Sequence, residues 1–431
     1  MQRSVDDLPG HGGGPLPRGG IRRSARGQRR LVALVQVLGL AVWFSATAIA
    51  PSLRDEWSLS TTAAVWLTAS VQVGFAVGAV TSSALGLADR VLPQRLMAAC
   101  ALGAAVCTAV LALAAHGPGV AVPLRALTGF FLAGVYPVGM KLTASWVGSE
   151  GRGRAFGVLI GALTLGSAMP HLVASVGPLP WRGVMLVASA ITLVAAVVAW
   201  VLVRPGPLLS AGARPHARYA LEVFAERRPR LANLGYFGHM WELYAFWTWL
   251  SAFLVAAREA AARGGPGPAV SLLTFAVIGV AGAVGALVGG VVADRRGRSF
   301  AATSALVVSG TCCLASPWAF TWPQPALVPF LAVWGAAVIA DSGVFSTALS
   351  ESVDQRFVGT ALTVQTAVGF AVTVVTIQLA AVLAAHVGWQ FAFLLLAPGP
   401  LAGAVAMWRF GHGSGGHPGA SGTSLLSGSE Q

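Results

Sequence analysis

The chain has 431 residues, 55% of them hydrophobic and only 10% charged. A soluble domain carries about 25% charged residues, so there is too little polar surface here to clothe a water-soluble fold. The formal charge of +13 does not point to nucleic acid, because the Arg residues stand between long apolar runs rather than on one folded face. Cys100, Cys107, Cys312 and Cys313 have neither CxxC redox spacing nor zinc spacing, and neither a metal nor a cofactor is expected.

In chain order, residues 1–30 are rich in Gly, Pro and Arg and read as a disordered basic cytoplasmic arm. Apolar runs of about 20 residues, the length that crosses a bilayer as a helix, then follow one another. They predict spans near 31–51, 61–85, 95–115, 119–142, 154–176 and 183–203. Six more are predicted near 232–256, 269–292, 300–320, 325–349, 359–385 and 389–408. The fold class is therefore an all-α membrane protein of twelve transmembrane helices in two six-helix halves, 31–203 and 231–409. A hydrophilic cytoplasmic linker, 204–230, divides them, and a Gly/Ser-rich tail, 410–431, is expected to be disordered and cytoplasmic.

Lys and Arg are retained on the cytoplasmic side of short loops. With both termini inside, cytoplasmic segments hold 23 of the 28 Lys and Arg, and the outside loops hold only Arg54, Arg182, Arg258 and Arg263. The remaining one, Arg125, falls within a span. This split places a multi-pass protein in the inner (plasma) membrane with its even number of spans closed on the inside.

Leu87-Ala88-Asp89-Arg90 and Val292-Ala293-Asp294-Arg295 stand 205 residues apart and reveal a duplication. Gly290 to Arg298, with Asp294, Arg295, Gly297 and Arg298 in register, resembles the cytoplasmic loop signature of the major facilitator superfamily. The first-half copy is degenerate, with Leu85 and Leu92 where glycines belong, so Asp89 and Arg90 rest on the repeat. Arg125-Ala126-Leu127-Thr128-Gly129 resembles the superfamily's Arg-x-x-x-Gly signature on the fourth helix, whose Arg is linked to proton coupling in many members. The likeness extends loosely to cyanate-permease-type members. It implies alternating access between two halves, with Asp89, Arg90, Gly290, Asp294, Arg295, Gly297 and Arg298 as gating loops. The fifth helix, with Gly157, Gly161, Gly166 and Pro170, departs from the Gly-Pro signature of the drug/proton antiporters.

Ionisable residues inside a membrane are costly and mark function unless they pair or snorkel. Glu242 and Asp341 fall well inside predicted spans. His239, Glu242, Phe246 and Trp249 share one stripe of the seventh helix, which makes Glu242 with His239 the expected proton-coupling or substrate-binding pair and Arg125 their counter-charge. Asp341 has cytoplasmic groups as alternative partners. Tyr136 is a candidate whose hydroxyl a backbone carbonyl would equally satisfy. Trp43 is a cavity residue by analogy with the superfamily. For Trp249 and its aromatic neighbours, lipid-interface packing competes with a binding role.

The reading is a secondary active transporter, not an enzyme, moving a small molecule or ion by alternating access. Proton-coupled import as a monomer in lipid is the leading form; Arg125 with His239 would suit a small organic or inorganic anion, and Glu242 with Asp341 would equally suit a cation. Proton-coupled efflux of drugs or metabolites is the alternative, and a transporter-derived solute sensor is the reading from another class.

Overall fold

The computed structural model describes residues 18–148, 151–176, 180–209, 224–354 and 358–412. Among them there is no strand, and ten helices are long and apolar enough to cross a membrane. The first and seventh membrane helices fall below that measure for physical reasons: one is broken and the other carries polar groups in its middle.

The first membrane helix, α1 (Arg18–Gly39), loses its regular hydrogen bonding over 40–44 and resumes as Ser45–Ala48. It begins at Arg18, so part of the arm expected to be disordered is helical, and Gln28 ties it to Leu202 O and Arg204 N. The expected unbroken span 31–51 is thereby corrected. Then come α2 (Thr61–Ala84), α3 (Pro93–Ala114), α4 in two pieces (Pro118–Leu132 and Tyr136–Ser145), α5 (Arg152–Ser175) and α6 (Trp181–Val201). Outside these, the helix Ala50–Trp57 lies against α6, where Trp181 donates to Glu56 and Arg182 pairs with it at 2.9 Å. Those donors, Trp181 first, hold the Glu56 carboxyl below the usual range.

The second half runs α7 (Arg227–Ala260), α8 (Pro268–Arg296, with a π-helical turn at Ala276–Ala281) and α9 (Arg298–Ala319). It closes with α10 in two pieces (Gln324–Ala340 and Ser342–Ser350), α11 (Val358–Val387) and α12 (Trp389–His412). Arg227 to Arg230 belong to α7 rather than to the linker, and residues 410–412 to α12 rather than to the tail. The expected linker over 210–223 and tail over 413–431 lie outside the described residues. The spans expected near 119–142 and 325–349 are present as Pro118–Ser145 and Gln324–Ser350, each interrupted within its length.

Each half packs within itself through close glycine contacts. A Cβ on Gly74 would fall 1.8 Å from Ala126 O, and one on Gly129 2.0 Å from Val71 O, so α2 and α4 touch backbone to backbone. Their counterparts α8 and α10 meet the same way, at Gly285 against Ala336 and Gly289 against Ala340. The halves meet along α2 with α11 and along α5 with α8. Gly290 serves the second seam, since a side chain there would strike Gly153 O at 2.4 Å.

Gly289→Ala tests this packing, because its Cβ would land 1.8 Å from the Ala340 carbonyl just before the α10 interruption. A cost of about 1–3 kcal/mol is expected. It should appear as a lower thermal midpoint in detergent, whereas Gly359→Ala, with nothing within 4 Å, should leave the midpoint in place.

Candidate functional site

Arg125 is fully buried. Its Nε donates to Leu67 O at 3.2 Å, and its Nη1 donates to Val42 O at 2.9 Å and to Ser45 Oγ at 3.1 Å. Its Nη2 donates to Trp43 O. Two of these acceptors, Val42 O and Trp43 O, lie in the break of α1, so the guanidinium supplies donors to main-chain carbonyls where the helical pattern is interrupted. The expected role of Arg125 as counter-charge to Glu242 and His239 finds no contact: among the described residues no carboxylate lies within ion-pair reach of it. Four of its five N–H donors are used, and its charge stays uncompensated.

The expected Glu242–His239 pair is split between two environments. Glu242 Oε1 accepts from Trp334 Nε1 at 2.7 Å and from Cys313 Sγ at 3.2 Å. Those partners stand on α10 and α9, so the carboxyl is clasped inside the second half. One helical turn away, His239 turns instead to Asp341, with Nδ1 2.9 Å from Oδ1 and both side chains buried. The alignment falls short of a hydrogen bond, and His239 Nε2 has no partner among the described residues. Asp341 stands at the α10 interruption, and a Cβ on Gly343, two residues on, would lie 3.6 Å from Phe156 and 3.7 Å from Ile160 of α5. The pair therefore sits near the seam between the halves. Asp341 has no ion pair with cytoplasmic groups among the described residues.

Tyr136 begins the second piece of α4, 205 residues before Asp341, so the repeat places a phenol in one half where it places a carboxylate in the other. It lies within electrostatic reach of Tyr236 and Tyr244 of α7. Trp43 is buried between the halves, its ring 5.0 Å from Phe75, 5.7 Å from Tyr244 and 5.9 Å from Phe370. Trp249 is not among this group: its indole donates to Ile377 O at 3.0 Å and packs on Trp389.

The residues expected to form gating loops divide likewise. The Asp294 carboxylate accepts from the main-chain N–H of Gly153 at 3.0 Å and of Arg154 at 2.8 Å, the first amides of α5 in the opposite half. A carboxylate at a helix N-terminus is favoured by the free amides and by the dipole. Arg298 braces it, reaching Asp294 Oδ1 at 3.4 Å, Ala293 O at 3.0 Å and Glu351 Oε1 at 3.2 Å. Gly297 takes φ +89°, the left-handed turn that lets the loop close. Arg295 is exposed, as is Arg90 at the end of the short helix Leu87–Arg90. The Asp89 side chain lies outside the described ones.

Sequence reasoning missed the α1 break, which carries no proline and only Gly39 as a signal. It also missed Asn233, whose side chain accepts from Gln365 at 3.0 Å across α7 and α11, and the partnership of Phe75, Tyr244 and Phe370 with Trp43.

A family model described as Major Facilitator Superfamily matches residues 32–377. The chain belongs to the major facilitator superfamily. It is similar to a gallate transporter of Pseudomonas putida, 25% identical over 301 residues, which cover 61% of this chain and 64% of that protein. The match thus spans just under two thirds of the relative's length. In fold it is similar to the proton:xylose symporter XylE bound to 6-bromo-6-deoxy-D-glucose, with a TM-score of 0.70 at 16% identity, over 89% of this chain and 96% of that one. It is also similar to the human organic anion transporter MFSD10, with a TM-score of 0.66 at 18% identity, over 89% and 99%. The protein is a multi-pass membrane member of that superfamily.

Two substitutions test the site. Arg125→Lys should lower the yield of folded protein, since an ammonium cannot serve Leu67, Val42 and Trp43 carbonyls at once and each one orphaned costs about 1–3 kcal/mol. Detergent-resistant monodisperse yield is the measure. Asp294→Asn should open the latch, with the accessibility of a cysteine placed at position 154 rising while the fold persists.

Proposed function

We propose that the protein imports a small organic anion together with protons, as a monomer in the plasma membrane, with both termini and the Asp294 end in the cytoplasm. The observation that carries the anion is the uncompensated Arg125 charge, buried and held on the main-chain carbonyl of Trp43. A buried cation without a carboxylate favours a guest of opposite sign in a low-dielectric path. Gallate, named for the similar Pseudomonas protein, is such an anion. The positive-inside distribution of Lys and Arg supports the orientation.

His239 and Asp341 are the coupling centre in this reading. They lie 2.9 Å apart at a helix interruption beside the seam, where rocking of the halves changes what surrounds them. A carboxylate that gains and loses a proton with each cycle ties solute movement to the gradient. Glu242, enclosed by α9 and α10 of its own half, serves packing instead. Departure of α5 from the antiporter signature favours import over efflux.

In proteoliposomes with an inward proton gradient, wild-type protein should concentrate an organic anion above its equilibrium level. Asp341→Asn and His239→Gln should lose accumulation yet retain exchange of labelled for unlabelled solute, while Glu242→Gln accumulates. Normal accumulation by both Asp341→Asn and His239→Gln would remove the coupling role from this pair.

A further inference from the structure

We propose that the transported anion is a planar aromatic acid whose ring carries oxygen acceptors, and that the indole N–H groups of Trp43 and Trp247 receive them. The inference rests on the centre being the anion path proposed above.

The walls are the first observation. Trp43 of α1 and Phe75 of α2 face Tyr244 of α7 and Phe370 of α11, two buried rings from each half. Phe75 and Phe370 stack at 4.2 Å, Tyr244 lies 5.2 Å from Phe370, and Trp43 and Tyr244 stack at 5.7 Å. Phe44 and Trp247 extend the group, each with Tyr244 as a neighbour and 5.7 Å from one another. Rings prefer offset or tilted partners within about 4.5–7 Å. A flat guest admitted when the halves part can replace each ring's partner across the seam with another ring.

The donors are the second and independent observation. The indoles of Trp146, Trp181, Trp241, Trp249 and Trp334 each donate a hydrogen bond within the protein. Trp43 and Trp247, each 1% exposed, have no partner for Nε1 among the described residues. Gln72, one turn before Phe75 on α2 and fully buried, has no partner for either amide atom. A buried donor left unmade costs about 1–3 kcal/mol, and phenylalanine would supply a ring at neither position with that cost. Two indole donors kept unpaired in an aromatic enclosure match a guest bringing acceptors, such as ring hydroxyl oxygens. An inorganic anion has no use for the ring faces, and a neutral sugar has none for the Arg125 charge.

The test is competition against uptake of labelled 4-hydroxybenzoate in proteoliposomes under a proton gradient. Competitors are benzoate, 3,4-dihydroxybenzoate, acetate, succinate and D-xylose. Hydroxylated benzoates should inhibit about tenfold more tightly than benzoate, as one gained hydrogen bond allows. In Trp43→Phe and Trp247→Phe that ratio should fall toward one. Both constants come from one preparation, so protein yield cancels, and the wild-type ratio stands whatever the variants do. The proposal is overturned if wild type binds benzoate as tightly as its hydroxylated forms, if both variants keep the wild-type ratio, or if succinate or xylose competes best. Uptake of aliphatic anions without aromatic ones sinks this inference alone, whereas no uptake of any anion sinks the transport reading beneath it.

Discussion

Inside a bilayer every main-chain polar group must find a partner within the protein, and the contact that lets this chain depart from helix at its centre is the Arg125 guanidinium. The carbonyls of Val42 and Trp43 lie in the break at 40–44, and Arg125 binds both together with Leu67 O and Ser45 Oγ. Neither feature is stable alone: an unpaired Arg in the membrane costs several kcal/mol, and so do orphaned carbonyls. Together they fix α1, α2 and α4 around one point and aim the Trp43 ring at the opposite half. The aromatic centre depends on that aim.

The two halves solve the burial of charge differently. In the first, a cation is solvated by neutral acceptors, mostly backbone carbonyls, and keeps its net charge and long-range field. In the second, two carboxylates are enclosed, Glu242 by neutral donors and Asp341 by an imidazole. The field of the centre is therefore asymmetric across the seam even though the scaffold is duplicated. Tyr136 opposite Asp341 in the repeat shows the same divergence at one position: the interruption of the helix is shared, and its chemistry is not.

The architecture was legible because apolar runs of bilayer length and the charge split between loops are properties of single segments. The Asp294 loop was legible for the same reason. The site was legible only as an inventory. Arg125, His239, Glu242 and Asp341 announced themselves as ionisable groups in apolar surroundings, but their partners depend on helix rotation. The stripe that put His239 with Glu242 was correct about the helix face and silent about neighbours. His239 meets α10, while Glu242, a turn along, meets α9 as well, and no periodicity within α7 distinguishes the two. The α1 break was hidden because its cause lies 80 residues downstream, in the side chain that satisfies it.

The latch at the Asp294 end has a consequence for how such a protein can change. Asp294 grips main-chain amides rather than a side chain, so the surface it recognises is the end of a helix and not an amino acid. Position 154 is free to vary among residues that keep their N–H. Position 153 is not, because a Cβ there would lie 2.3 Å from Asp294 Oδ1. A lock of this kind leaves no complementary charge on its partner strand of sequence. Its strength is carried by the carboxylate and by the orientation of a helix, so mutations that tilt α5 would weaken these two hydrogen bonds without changing either residue that makes them.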